Sequence, residues 1–124
     1  MKRVFIVMAV LLVALPSCRK FSIVGTWRVT QYFENGADKT TDFNNLYVNY
    51  KIKLDGSGNF IETATILGIN TTVAGPYELT NGDTKLTLTN QADNSKRYFD
   101  ILELKNSTAV IRQDNNKEFH LAKI

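Results

Sequence analysis

The sequence is poor in the residues that build disulfides, metal sites and catalytic triads. Cys18 is the only cysteine, so no disulfide can form within the chain. His120 is the only histidine, and one histidine without a cysteine partner makes neither a zinc site nor a Ser-His-Asp triad. No glycine-rich loop precedes a helical pattern, so the usual phosphate-binding motif is missing. We therefore expect no catalytic residues, no cofactor and no metal.

A strong charge of one sign is also lacking. The formal charge is +3, but two of the basic residues, Lys2 and Arg3, lie in a segment that we expect to be removed. The remaining thirteen Lys and Arg then face twelve Asp and Glu, which leaves a side-chain charge of +1. A surface so balanced is not that of a nucleic-acid-binding protein. The 124 residues suffice for one domain with one core.

Long hydrophobic runs are absent except near the start, where residues 4–15 are all apolar. This run is too short to cross a bilayer and follows two basic residues, which is typical of a signal peptide. The next residues, Leu15-Pro16-Ser17-Cys18, resemble the lipobox of bacterial lipoproteins, although proline is not the commonest residue at its position. The alternative is an ordinary secretory signal with an incidental cysteine.

The lipobox resemblance implies that Cys18 becomes the N-terminus and carries acyl chains that anchor the protein to a membrane. Several chains, at about 0.8 kcal/mol per buried methylene, hold a protein stably. We therefore expect a signal peptide at 1–17, a lipidated cysteine with a short tether at 18–22, and a folded domain at 23–124. No acidic residue directly follows the cysteine, which favours the periplasmic face of an outer membrane.

After residue 23 the sequence alternates between strand patterns and turns. No stretch sustains a helical apolar period between caps, so we predict no helix. The longest connection, 35–45, is polar and is predicted to form a lid or an overhand loop. In the sixth predicted strand the apolar residues switch faces between Ile101 and Leu102, which indicates a bulge. The predicted strands are 26–33, 46–54, 60–67, 71–79, 84–89, 96–104, 108–113 and 117–123.

Eight strands with short links predict an all-β fold, an up-and-down antiparallel barrel that either fills with side chains or holds one small ligand. A two-sheet sandwich is the alternative. The first strand opens with Gly25-Thr26-Trp27, in which glycine lets the backbone pass close to the indole ring and Trp27 plugs one end of the barrel.

The chain from 21 to 124 resembles the lipocalin-like domains of small Gram-negative lipoproteins, within the calycin group. That resemblance implies an eight-stranded barrel that binds a small apolar ligand or has no known ligand, and it supplies no catalytic motif. The segments that carry the resemblance are Gly25-Thr26-Trp27, the turn 55–58 with Phe60 after it, and 75–79, 86–88 and 99–104.

Two polar residues share a face with residues that we expect inside the barrel. Gln31 falls on the face of Trp27, and Glu62 falls on the face of Phe60. Either they lie near the rim in water, or they orient the polar end of a ligand. Trp27 itself is a candidate ligand contact, although bulky residues of this kind usually fill the core of a small barrel.

The turn at 66–69, which we call the aliphatic turn, is unlike the other turns of the chain. Those are built mainly from Asn, Asp, Gly, Ser, Lys and Gln, whereas this one places Ile66, Leu67 and Ile69 around its glycine. Because turns face water, we expect these three residues to form the mouth of the barrel or a docking edge. The alternative is that the flanking strands simply run long and pair these residues within the sheet.

Two functions are compatible with a predicted barrel that is anchored to a membrane. The first is non-catalytic binding of a small apolar or amphipathic molecule by a membrane-anchored barrel. The second is a structural or interaction role at the cell envelope, in which a filled barrel acts through its surface. An open apolar lumen favours the first function, and a packed lumen favours the second.

Overall fold

The computed structural model describes residues 21–124. The predicted signal peptide and Cys18 lie outside the described residues. Within 21–124, no helix is long and apolar enough to cross a membrane. The elements are β1 (Gly25–Glu34), β2 (Ala37–Asp38), α1 (Thr40–Leu46), β3 (Val48–Leu54), β4 (Asn59–Ile66), β5 (Ile69–Thr80), β6 (Lys85–Thr89), β7 (Lys96–Leu104), β8 (Thr108–Gln113) and β9 (Lys117–Lys123).

Eight of these strands close into an antiparallel barrel. Strands β3 to β8 each pair with the next in sequence, β1 pairs with β3, and β1 also pairs with β9. The two-residue β2 only extends the end of β1, where Ala37 pairs with Glu34. The predicted eight-stranded barrel is therefore confirmed, and the alternative of two separate sheets is wrong. Closure also removes the exposed strand edges that invite aggregation.

The up-and-down topology gives the barrel two different ends. At the closed end β1 begins and β9 finishes, and the backbone N–H of Ile124 donates to the carbonyl of Thr26 at 2.9 Å. At the open end lie α1 and the aliphatic turn between β4 and β5. The described chain therefore enters the barrel at its closed end.

Trp27 fills the closed end, as predicted. Its side chain is 0% exposed, and its indole Nε1 donates to the carbonyl of Ile23 at 2.9 Å. The ammonium of Lys123 lies 5.2 Å from the centre of the ring. Gly25 has a φ of +149°, and a Cβ there would lie 3.0 Å from Lys123 Cε. Glycine at this position therefore lets the strand begin beside the covered indole.

Three bulges decide which residues face the lumen. The bulge predicted in β7 is confirmed, because the register with β8 shifts between Ile101 and Glu103. Two others were not predicted. The register of β1 with β9 shifts between Val29 and Gln31, and that of β3 with β4 shifts between Val48 and Lys51. Each bulge adds one residue and so reverses the inward and outward faces beyond it.

Helix α1 corrects the prediction that the chain has no helix. It occupies the connection predicted to be a lid or overhand loop, and its last residue, Leu46, was expected to begin a strand. A seven-residue helix is too short to show a helical period and cannot be stable alone. Packing holds it, since Phe43 is 8% exposed. Asp38 Oδ1 also accepts hydrogen bonds from Thr40 N at 3.0 Å and Oγ1 at 2.6 Å.

Strand pairing is incomplete towards the open end at two seams. The β1–β3 pairing covers only Gly25–Trp27 of β1. Between this pairing and the open end, α1 packs against both strands. The β5–β6 pairing covers only the last four residues of β5, from Tyr77 to Thr80. Between these seams, β3, β4 and β5 form a three-stranded flap whose upper part is joined to the rest of the barrel mainly by side chains.

Candidate ligand cavity

A cavity of about 800 Å³ opens at the open end of the barrel. Trp27 and Phe60 lie below it and do not line it, so the lumen is filled at the closed end and empty above. Aliphatic and aromatic side chains form most of the lower surface of the cavity. They are Ile23, Ile52, Leu54, Leu86, Leu88, Phe99, Ile111 and Leu121.

An aromatic cluster forms one wall of this cavity. The ring of Phe43 on α1 lies with its centre 5.3 Å from that of Tyr32, 4.9 Å from that of Tyr47, 5.5 Å from that of Tyr50 and 5.9 Å from that of Phe119. These separations are typical of favourable ring–ring packing. The helix therefore closes the seam between β1 and β3 with one buried ring and presents an aromatic surface to the cavity.

Three side chains make a polar cluster inside the cavity: Tyr50 on β3, Glu62 on β4 and Arg97 on β7. The guanidinium binds the carboxylate in bidentate fashion, with Nη2–Oε1 at 2.8 Å and Nη1–Oε2 at 3.1 Å. The phenol of Tyr50 donates a third hydrogen bond to Glu62 Oε2. The side chain of Glu62 is only 13% exposed and that of Arg97 is 35% exposed. The pair thus bridges the flap and the opposite wall.

The surroundings fix the protonation of Tyr50 and Arg97. Burial, and then the negative charge of Glu62, raise the pKa of Tyr50 well above its usual value, so the phenol stays neutral and donates. Burial disfavours the charge of Arg97, but the hydrogen bonds and charge of Glu62 outweigh it and raise the pKa of the guanidinium. Arg97 is therefore a permanent cation beside a carboxylate that receives three donors.

The ionisable residues that line the cavity balance in charge. Near the mouth, Glu34 pairs in register with Lys117, and Lys39 lies 4.0 Å from Asp42. Apart from tyrosines, the lining residues that ionise are the acids Glu34, Asp42 and Glu62 and the bases Lys39, Arg97 and Lys117. With all six ionised, the lining carries no net charge.

Of the six residues predicted to contact a ligand, the structure brings two to the cavity. Glu62 belongs to the polar cluster, and Ile66 lines the cavity at the end of β4. Trp27 is buried at the closed end, away from the cavity. Whether any of these residues binds a ligand stays a prediction.

Gln31 does not share the inward face of Trp27 as the alternation predicts, and its exposure agrees with the alternative that it lies in water. Gln31 is exposed and does not line the cavity. The bulge between Val29 and Gln31 reverses the faces of β1, so Tyr32 and Glu34 point inward instead. The extra residue at the bulge is a threonine, which is common on either face of a strand and so does not reveal the bulge. A prediction from strict alternation therefore assigns every later residue of β1 to the wrong face.

The aliphatic turn projects from the open end. Ile66 and Ile69 form the last pair of the β4–β5 ladder, so the alternative of long strands describes them correctly. Leu67 and Gly68 make the two-residue turn, with φ of 50° and 78°. Such turns favour asparagine or aspartate before the glycine, and leucine is unusual there. Leu67 is 87% exposed and Ile69 is 68% exposed, and neither lines the cavity.

Two members of the polar cluster were not predicted. Tyr50 shares the face of Ile52 in the alternating pattern of its strand but was given no role in binding. Arg97 was not singled out, although it lies two residues before Phe99 and so shares its inward face. A cation at an inward position of a strand is the signal that was available.

The turn between β3 and β4 is organised by its own aspartate. Asp55 Oδ1 accepts hydrogen bonds from the backbone N–H groups of Ser57 and Asn59, both at 2.9 Å. His120 lies on the outer surface, 2.9 Å from Glu118. Among residues 21–124, no three His, Cys, Asp or Glu side chains are grouped as metal ligands would be.

Solved structures share this barrel. A lipocalin-like protein from Bacteroides uniformis superposes with a TM-score of 0.67 at 15% identity, covering 82% of this chain and 98% of the other. An uncharacterised protein from Bacteroides eggerthii gives 0.65 at 15% identity, covering 83% and 100%. At such low identity these similarities show the fold alone.

Comparison of sequences gives a more specific result. No curated protein matches the chain. The family model for the lipocalin-like domain, however, matches residues 23–111, which run from the start of the barrel into β8 and make up well over half of the chain. Together with the closed eight-stranded barrel and its open cavity, this match makes the chain a member of the lipocalin-like domain family.

Proposed function

We propose that this protein is a membrane-anchored, non-catalytic binding protein that holds one small amphipathic molecule in its barrel. The single observation that carries the proposal is the cavity of about 800 Å³, which is apolar at its base and holds a polar cluster that links its opposite walls. Ligand sites typically measure about 300–1,000 Å³ and combine a mostly apolar lining with a few placed polar groups. The lipocalin-like fold also suggests small-molecule binding.

The arrangement of the cavity supports a ligand with two chemically different parts. The aliphatic lower surface and the aromatic wall that includes Phe43 accept an apolar body, whose burial contributes about 25 cal/mol per Å². The polar cluster then lies within reach of the ligand's polar end. Glu62 therefore keeps its predicted role, and Tyr50 and Arg97 join it.

Anchoring is the second part of the proposal. The lipobox resemblance makes Cys18 the attachment point for acyl chains at the periplasmic face of an outer membrane. A Cys18→Ser variant should not incorporate a radiolabelled fatty acid and should remain unprocessed or become soluble. Incorporation of label by this variant would contradict the lipoprotein assignment.

The binding proposal is tested by native mass spectrometry of the mature protein purified from its own cells. The wild type should retain a small molecule. Ala64 lines the cavity, and an Ala64→Phe variant should lose that molecule because the new ring occupies its space. Ala74, on the other strand of the same hairpin, pairs with the exposed Ile61 and does not line the cavity, so Ala74→Phe is the matched control. Equal retention by both variants would contradict binding in the barrel.

An interaction role at the envelope is the second candidate. The exposed Leu67 and Ile69 favour it, since large aliphatic side chains at a turn usually have a partner. This role and ligand binding use different surfaces and are separated by the variants described in the Discussion.

A further inference from the structure

We infer that the cavity selects an electrically neutral ligand whose polar end is a hydrogen-bond acceptor of the carbonyl type, such as a ketone, ester or amide, and discriminates against carboxylates and amines. This rests on the proposed function, since it names the class of molecule that the cavity binds. Three features of the polar cluster and its surroundings carry it.

The first feature is that three of about four acceptor sites of Glu62 are already occupied. Both of its oxygens accept from Arg97, and one also accepts from Tyr50. An ammonium group on a ligand would find one free acceptor site, and a stronger contact with this carboxylate would require it to displace the bidentate guanidinium. Bidentate guanidinium–carboxylate pairs are among the strongest side-chain contacts, so the exchange is unfavourable.

The second feature is that three N–H groups of Arg97 are not used in hydrogen bonds to Glu62. A guanidinium carries five N–H groups, and the two hydrogen bonds to Glu62 use one on each terminal nitrogen. Within residues 21–124, no acceptor is bonded to the remaining three. Because Arg97 lines the cavity, these N–H groups are available to an acceptor on the ligand. The cluster is therefore rich in donors and poor in free acceptors.

The third feature is charge balance. The lining residues carry three acids and three bases, and Glu62 itself neutralises Arg97. A carboxylate ligand would bring an uncompensated negative charge into a largely apolar cavity, beside a carboxylate that cannot move away without breaking its pair. An unpaired buried charge is costly, whereas a carbonyl oxygen can accept a hydrogen bond with no such cost.

The test uses three unbranched probes of twelve carbons each: 2-dodecanone, dodecanoic acid and dodecylamine. Each displaces the neutral dye Nile red from the full protein at pH 7. We expect the ketone to bind at least about tenfold more tightly than the acid or the amine. Tighter binding of the acid or the amine, or equal binding of all three, would overturn the inference while leaving the binding proposal intact. Failure of all three to bind, with no molecule retained in native mass spectrometry, would overturn both.

A change of selectivity gives a second, independent readout. In Glu62→Gln the guanidinium loses its counter-charge, so the preference for the ketone over dodecanoic acid should fall about tenfold. Asp100→Asn is the matched control, because it makes the same change in net charge in an ion pair with Lys85 outside the cavity. Unchanged selectivity in Glu62→Gln, or an equal fall in this preference in Asp100→Asn, would contradict the role assigned to the polar cluster. If Glu62→Gln fails to fold, the relative affinities of the three probes for the wild type still confirm or overturn the inference.

Discussion

The ion pair between Glu62 and Arg97 gives the sharpest prediction about stability, because its two partners belong to the two parts of the barrel that the open seams separate. The pair spans 35 residues of sequence and connects the flap to β7. Arg97→Met keeps the length and apolar stem of the side chain but removes its charge. Glu62 is then left almost fully buried with Tyr50 as its remaining hydrogen-bond donor.

The magnitude follows from the burial of the two partners. Removing one member of a fully buried pair costs about 3–5 kcal/mol, and an exposed pair contributes about 0–1 kcal/mol. With Glu62 13% exposed and Arg97 35% exposed, solvent screens part of the interaction. We therefore expect Arg97→Met to lower the free energy of unfolding by about 1–3 kcal/mol, or the melting temperature by about 4 °C per kcal/mol in a domain of this size.

The decisive comparison is the triple variant Tyr50→Phe, Glu62→Leu and Arg97→Met. It removes both charges and also the hydroxyl that would otherwise be left without a partner. Because apolar side chains can replace a buried pair at little cost, we expect its stability within about 1 kcal/mol of the wild type in denaturant unfolding. A triple variant as unstable as the single one would refute the reasoning. Lys85→Met, in the more exposed pair with Asp100, should affect stability much less than Arg97→Met.

Three further predictions concern other parts of the molecule. Trp27→Ala should lower the free energy of unfolding by about 3–5 kcal/mol in denaturant unfolding, because the ring is fully buried. The control Tyr98→Ala should change it by less than about 0.5 kcal/mol, because that side chain is 63% exposed. Unchanged stability of Trp27→Ala would contradict the role of Trp27 in the closed end. Leu67→Ser with Ile69→Ser should barely move the melting temperature or Nile red binding but should abolish any partner interaction seen by cross-linking, and a marked loss of stability would instead make these residues core. The raised pKa of Tyr50 contributes stability that is complete below about pH 10 and is lost as the pH rises further. The melting temperature of Tyr50→Phe should therefore fall less steeply above about pH 10 than that of the wild type. Identical profiles of melting temperature against pH for the two proteins would refute this.

Most of the barrel could be predicted from the sequence, because a strand with one buried face reveals itself by alternation. The predicted strands 96–104, 108–113 and 117–123 agree with β7, β8 and β9 residue for residue. The bulge in β7 was visible because two apolar pairs switch faces there. In β1 the bulge adds a threonine, which fits either face, so no residue pattern indicates that Gln31 turns outward.

The candidate site was harder to predict, because it depends on which strands face each other across the lumen. Glu62 could be placed inside from its neighbours, but its partner on β7 depends on the curvature of the closed sheet. Helix α1 was missed because its seven residues are held by the burial of Phe43 and not by helical propensity. The emptiness of the upper lumen is likewise a property of packing that no residue pattern records.

The positions of the two barrel ends bear on how a ligand would arrive. The described chain enters at the closed end, only a few residues after Cys18, whereas the cavity opens at the other end of β1, a strand of ten residues. At about 3.3 Å per residue and the usual strand tilt, the two ends are about 25 Å apart. A protein anchored through Cys18 would therefore turn its mouth towards the aqueous compartment. A ligand that came from the bilayer would have to cross water to enter the cavity. This arrangement favours molecules with appreciable solubility in water over those that remain dissolved in lipid.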